Sequence, residues 1–184
     1  MYCNKCQCER EDSQFCAVCG EELIPVVDGI LERPEMPLKW YKFVIYVQLF
    51  AMAVVNLRNG IYCLTGGHYQ GMADTVYEML PTMLPLDTAY GVLAIALAVF
   101  ALVVRSQLAN WKSAAPKLYL LLLSLNLVVS LLYNVAADAV VVNAGLPFDY
   151  NPNYGTLISS TVTSVVMIAC NAVYFKKRAH LFEY

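Results

Sequence analysis

The sequence predicts a mostly α-helical protein, a four-helix transmembrane bundle preceded by a small cysteine-rich head. Three observations predict it. Of the 184 residues, 59% are apolar or aromatic and only 14% are charged, where a soluble domain carries about 25% charged residues. Four long apolar stretches are joined by loops whose charge alternates in sign. Five of the seven cysteines (Cys3, Cys6, Cys8, Cys16 and Cys19) fall within the first 19 residues, unlike the spread of a secreted disulfide framework. The 13 tyrosines, 7 phenylalanines and mean hydropathy of +0.54 exclude intrinsic disorder, and a net charge of −2 gives no sign of a basic nucleic-acid binder.

Crossing about 30 Å of hydrocarbon takes roughly 20 mainly apolar residues in a helix. Four segments meet that requirement, at about 40–64, 86–104, 117–142 and 156–175. The eight prolines (25, 34, 37, 81, 85, 116, 147 and 152) lie outside the cores of these segments, as helix interiors require. The organisation read from the chain is therefore a head over 1–24, a linker over 25–38 with three prolines and a glycine, and a four-helix transmembrane domain over 39–184. A polar, cysteine-rich start with no early apolar run is not a cleavable signal peptide, so span one reads as an uncleaved signal anchor.

Basic residues near short loops stay on the cytoplasmic side. Lys5, Arg10, Arg33, Lys39 and Lys42 precede or open span one, Arg105, Lys112 and Lys117 flank the connection between spans two and three, and Lys176, Lys177 and Arg178 follow span four. The opposite loops carry Asp74, Glu78, Asp87, Asp138 and Asp149, with Arg58 the one exception. Eleven of the twelve basic residues thus fall in the cytoplasm if both termini are cytoplasmic, in a multi-pass protein of the cell membrane. Trp40 and Trp111 then sit at the cytoplasmic interface, where amphipathic rings are favoured.

In the head, Cys3-x2-Cys6 and Cys16-x2-Cys19 are two turns whose thiolates can converge on one ion. Tetrahedral Zn²⁺ accepts four such sulfurs, and Gly20 allows the second turn to tighten. A head this small cannot bury enough apolar surface to fold alone, so one structural Zn²⁺ would supply most of its folding free energy. Four thiolates could also hold rubredoxin-like iron, and a disulfide pair or free thiols is the bland alternative, disfavoured in reducing cytoplasm. Cys8 is a fifth thiol: an alternative ligand, a redox-sensitive spare or a bystander.

Tyr2-Cys3-Asn4-Lys5-Cys6 followed by Phe15-Cys16-Ala17-Val18-Cys19-Gly20-Glu21-Glu22-Leu23 resembles the short N-terminal zinc ribbon carried by many bacterial membrane and regulatory proteins. The resemblance covers residues 1–24 and implies a structural zinc site on Cys3, Cys6, Cys16 and Cys19. The family usually has glycine after the first cysteine pair, where this chain has Gln7 and then Cys8. By its general form the rest of the chain is similar to four-helix membrane bodies that bear such ribbons, so the fold class becomes a four-transmembrane-helix bundle with a small N-terminal zinc ribbon. Residues 1–24 hold two basic and five acidic residues, a net −3, which would repel a phosphate backbone and suits a protein partner instead.

Inside the apolar segments, Asn126, Ser130, Asn134 and Asp138 recur every four residues, a slowly drifting polar stripe on span three. Gln48, Met52 and Asn56 form a similar band on span one, and Ser160, Ser164 and Asn171 on span four. Interhelical hydrogen bonds can satisfy such faces. Arg58, near the outer end of span one, can snorkel or pair with Asp87 or Asp138. Met72, Val76, Met79 and Met83 have near-helical spacing, with Pro81 and Pro85 limiting the segment, and read as an interfacial turn of helix. His68, beside Gly66-Gly67, and His180 have no nucleophile motif beside them, and neither an HExxH pattern nor a phosphate loop is present.

The sequence is accordingly read as a non-enzymatic integral membrane protein of a bacterial cytoplasmic membrane, embedded in the lipid bilayer. Its cytosolic zinc ribbon would act as a protein-interaction, adaptor or sensory module for a cytosolic protein partner, with no nucleic acid involved. The alternative is a small transporter or channel component that uses the polar stripe on span three, in which case a homo-oligomer is expected.

Overall fold

A computed structural model describes residues 2, 3, 6, 8, 9, 15, 16, 18–20, 23, 26, 27, 30, 31, 38–145 and 154–182. The charged head residues Lys5, Arg10, Glu11, Asp12, Glu21 and Glu22, Gln7, Arg33 in the linker stretch, and Asp149 lie outside the described residues. The chain divides into two compact units, Met1–Trp40 and Tyr41–Tyr184.

Among the described residues of the first unit are two short antiparallel ladders. β1 (Tyr2–Cys3) pairs with β2 (Cys8–Glu9), placing Cys3 opposite Cys8. β3 (Val26–Val27) pairs with β4 (Ile30–Leu31), with Val27 opposite Ile30. Asp28-Gly29 separates the second pair, and Asp-Gly is among the dipeptides that two-residue hairpin connections favour most. The stretch 25–38 read as a linker thus contains a paired segment and belongs to the same unit as the head.

Among the described residues five helices follow, and four of them are long and apolar enough to cross a membrane: α1 (Lys39–Leu64), α3 (Met83–Ala109), α4 (Ala115–Asn143) and α5 (Tyr154–Lys176). The fifth is the short α2 (Ala73–Met79) between α1 and α3. The predicted mostly α, four-span architecture is the observed one. α3 is longer than the apolar stretch that announced it. Pro85 sits in its first turn, as Pro116 does in that of α4, where a proline removes an N–H that had no helical acceptor. At its other end α3 runs on through Arg105, whose Nε donates to the Ile45 carbonyl at 3.2 Å. Pro85 therefore opens the next helix instead of ending the interfacial one. That carbonyl belongs to a π-helical turn, Val44–Gln48, within α1, and a widened turn changes which carbonyls the helix itself satisfies.

α1 and α3 form the tight pair of the second unit. Tyr41, Ile45, Leu49, Ala53, Asn56, Gly60 and Cys63 are the buried stripe of α1, and Gly91, Ala94, Ala98, Ala101, Val104 and Leu108 that of α3. Small residues let backbones approach where helices pack without a hydrophobic drive between them. The closest approach is at Gly60 and Gly91: a Cβ on Gly91 would meet the Gly60 carbonyl oxygen at 3.0 Å and Leu64 Cγ at 2.7 Å. α4 packs on α3 and α5 on α4, but their buried residues cluster at one end, Ala115, Tyr119, Leu122 and Leu123 on α4 with Asn171 and Phe175 on α5.

That end is an aromatic knot. Tyr41 stacks on Trp111 with centroids 4.4 Å apart, and Phe182 lies against Tyr41, Trp111 and Phe175. The Tyr41 hydroxyl donates to the Leu108 carbonyl. Arg105, Lys112, Lys117, Lys176, Lys177 and Arg178 are all at or near this end in the chain, so the basic residues of this unit, Arg58 excepted, gather around the knot.

Candidate metal centre

Cys3 is on β1, Cys6 follows at a turn, and Cys16 and Cys19 flank a second turn. The four Sγ atoms all lie within 4.8 Å of one another. A tetrahedron with ~2.3 Å metal–sulfur bonds has edges of about 3.8 Å, so the cluster has the dimensions of a four-thiolate ion site. The thiols are not linked: Cys3 Sγ and Cys19 Sγ are 3.4 Å apart, where a disulfide bond is about 2.05 Å.

The local fold explains why the sulfurs converge. Among the described residues, Cys3, Cys16 and Leu23 form a buried core, with Cys6 and Cys19 packed against it. The sulfurs thus sit at the centre of that core, where a small unit has little apolar surface to bury. Gly20 closes the second turn at φ +70°, its N–H donating to the Cys16 carbonyl at 2.8 Å. A left-handed residue just past the second cysteine is what a glycine permits at no steric cost.

Electrostatics divides the thiols. The backbone N–H groups of Val18 and Cys19 point at Cys16 and pull it down to about 6, so a thiolate is stabilised there. Cys6 is pushed up to about 12, first by its contact with the Cys19 thiol and then by burial. Crowded sulfurs cannot all ionise against one another, and a divalent cation among them removes that conflict. The donor set is sulfur alone, which selects soft or borderline ions and disfavours Mg²⁺ or Ca²⁺. Cys3, Cys6, Cys16 and Cys19 are therefore the residues able to hold one ion, and Cys8 enters the described structure through its backbone pairing with Cys3.

The polar bands of the helical unit meet in part. Asn56 Nδ2 donates to Asn126 Oδ1 at 2.9 Å, Asn126 Nδ2 reaches Met52 Sδ at 3.7 Å, and the Tyr119 hydroxyl donates to Gln48 Oε1 at 3.0 Å. The band of α1 thus grips α4 at Asn126. Further along the stripe, Asn134 turns back to the Ser130 carbonyl of its own helix and is exposed. Ser160, Ser164 and Asn171 on α5 likewise bond carbonyls of α5. Between α1, α4 and α5 lies a cavity of about 290 Å³, lined in part by Gln48, Met52, Asn126, Ser130, Ser160 and Ser164.

At the other end of the helices Arg58 lies over the Tyr62 ring, 4.9 Å from its centroid, and Asp87 is met by three hydroxyls and a histidine. Asp87 is fully buried, accepts from Tyr69 and Tyr77 at Oδ2 (2.8 and 3.1 Å) and from Tyr133 at Oδ1 (2.8 Å), and has His68 Nε2 3.4 Å from Oδ2. On the interfacial turn Met72 and Met79 are exposed, Leu80 and Met83 are buried, and Tyr77 is a side chain that reaches inward. Sequence reading missed this constellation because it joins three helices and a turn. Its one sequence signal was a carboxylate at the edge of an apolar run with histidine and tyrosine in the adjoining loop.

Set against protein-family profiles, curated proteins and solved structures, the chain matches none.

Proposed function

We propose that this protein is a multi-pass membrane protein whose N-terminal unit is a zinc ribbon, holding one structural Zn²⁺ on Cys3, Cys6, Cys16 and Cys19 and serving as a cytosolic protein-interaction module. The convergence of four thiols within 4.8 Å carries the reading. An all-sulfur tetrahedral set of this compactness is a closed structural site, with no open position for a reacting water. The distribution of basic residues supports a cytoplasmic location for both termini. The acidic charge of the first 24 residues favours a protein partner over nucleic acid. The helical unit anchors the ribbon in a bacterial cytoplasmic membrane, and the whole acts as an adaptor or sensor without catalysis of its own.

The test is in-cell cross-linking, purification and mass spectrometry of the native chain and a Cys16→Ala/Cys19→Ala variant, with zinc per chain recorded for both. Zinc and a specific set of cytosolic partners should disappear together while the variant stays in the membrane. Loss of zinc with an unchanged partner set would remove the ribbon as the recruiting element, and iron in place of zinc would reassign the site.

The cavity between α1, α4 and α5 favours a second reading, a small transporter or channel component working through the polar stripe. A Ser130→Cys variant should then be modified by a water-soluble, charged thiol reagent, located by peptide mass. Full protection in a folded protein would mean dry packing.

A further inference from the structure

We propose that the cavity between α1, α4 and α5 is a binding site for a neutral, lipid-soluble carbonyl compound that enters from the bilayer. The cavity measures about 290 Å³, roughly twice the ~150 Å³ that holds a benzene ring in an engineered protein core. Amides, hydroxyls and thioethers line it among leucines, with no charged side chain. The inference stands on the cavity alone and needs neither the zinc ribbon nor transport.

Helix rise fixes its depth. At ~1.5 Å per residue, Gln48, Asn126 and Ser164 lie roughly 14 to 18 Å from the ends of α1, α4 and α5 at the aromatic knot. That is the middle of a hydrocarbon layer about 30 Å thick. The walls are open at the side, since Ser130 and Ser160 are exposed, and at this depth exposure is to acyl chains.

Two polar groups of the lining are left over. Gln48 accepts the Tyr119 hydroxyl on Oε1 at 3.0 Å. Turning the amide over would leave the proton of that fully buried hydroxyl without an acceptor. The free half of the amide is therefore its NH₂, which has no partner among the described residues. The Ser130 hydroxyl has none among them either, whereas Ser160, Thr161, Thr163 and Ser164 each donate to a carbonyl of α5. Gln48 also closes the π-helical turn Val44–Gln48, a local widening of the kind that recurs at functional sites.

Unmet donors in hydrocarbon are costly, and both leftover groups have protons to give. What they lack is an acceptor oxygen, which acyl chains do not supply at the midplane. A ketone, quinone or ester carbonyl supplies it, on a molecule apolar enough to reach that depth. A carboxylate or an amine would meet no counter-charge in the lining, so the ligand is neutral.

The experiment photolabels the full chain in lipid nanodiscs with a long-chain methyl ketone bearing a diazirine, and in parallel with a diazirine alkane of the same length. The ketone should label wall peptides covering 127–131 and 157–168 with saturation, and the ketone without the diazirine should compete. The alkane should label lipid-facing helix surfaces without saturating. Ser130→Ala removes a hydroxyl that bonds nothing among the described residues, and should raise the half-saturating ketone fraction about 2- to 10-fold, the range of one net hydrogen bond. Gln48→Leu should raise it at least as much where it keeps the native unfolding midpoint. Equal labelling by ketone and alkane, saturable labelling confined to other peptides, or a Ser130→Ala chain that binds like the native one would each overturn the proposal. Ketone binding with full protection of Ser130→Cys from the charged thiol reagent would keep this site and remove the transport reading, and the reverse pair of results would do the opposite.

Discussion

Cys3 and Cys16 are shielded from solvent, and among the described residues the other buried side chain in their core is Leu23. An ion held by the four thiols, as proposed, would take the place of an apolar core, and single ligands should then not be dispensable. Cys8 differs, since four other thiols already satisfy a tetrahedral ion. Cys8→Ser is expected to keep one zinc per chain by elemental analysis, and Cys16→Ser to lose it. Tyr77 offers a second residue-scale prediction. Burial first, and then its bond to Asp87, raises it from 10.0 to about 12. Its neutral form is the one the fold prefers, so its contribution is complete below pH ~10 and fades as pH rises towards about 12. Difference spectra against Tyr77→Phe should show its phenolate appearing only at the top of that range.

At the scale of elements, the pairing of α1 with α3 depends on two residues with no side chain. A Cβ at Gly60 would stand 2.9 Å from the Gly91 carbonyl oxygen, and backbone cannot move aside as a side-chain tip can. Gly91→Leu is expected to destabilise the helical unit by about 1–3 kcal/mol, the usual cost of overpacking, measured as a lowered unfolding midpoint in mixed detergent micelles. A substitution at exposed Val92, one residue along and facing outward, should leave that midpoint unchanged. The glycines were visible in the chain, but their partnership was not, since sequence periodicity says which face is apolar and not which face meets which.

Across the whole helical unit, two helices are tightly joined and two are held chiefly at one end. The aromatic knot at that end includes Phe182, only 6% exposed, from the C-terminal turn. Fixing the C-terminal turn beside the start of α1 places both on one side of the helices, as an even number of spans requires. With the cytoplasmic termini proposed above, a fluorescent protein fused after Tyr184 should fluoresce in a bacterial host, and a phosphatase that works only in the periplasm should be inactive at the same point. The opposite result would invert the topology. Phe182→Ala should loosen the knot and lower the unfolding midpoint, with the loss bounded by the ~3–5 kcal/mol seen for buried Phe→Ala changes.

Hydropathy, loop charge and cysteine spacing determined the four spans, the side on which the basic residues gather and the four thiols that converge. These are properties of composition and local period, which each segment carries whatever its neighbours do. Only the tertiary structure decided that Asn126, and not Asn134, reaches across to Asn56, that Arg58 turns to Tyr62, and that Asp87 is enclosed by Tyr69, Tyr77, Tyr133 and His68. A buried polar group must find its partner wherever packing brings one within about 3 Å, and that choice rests on how helices far apart in the chain are set against each other.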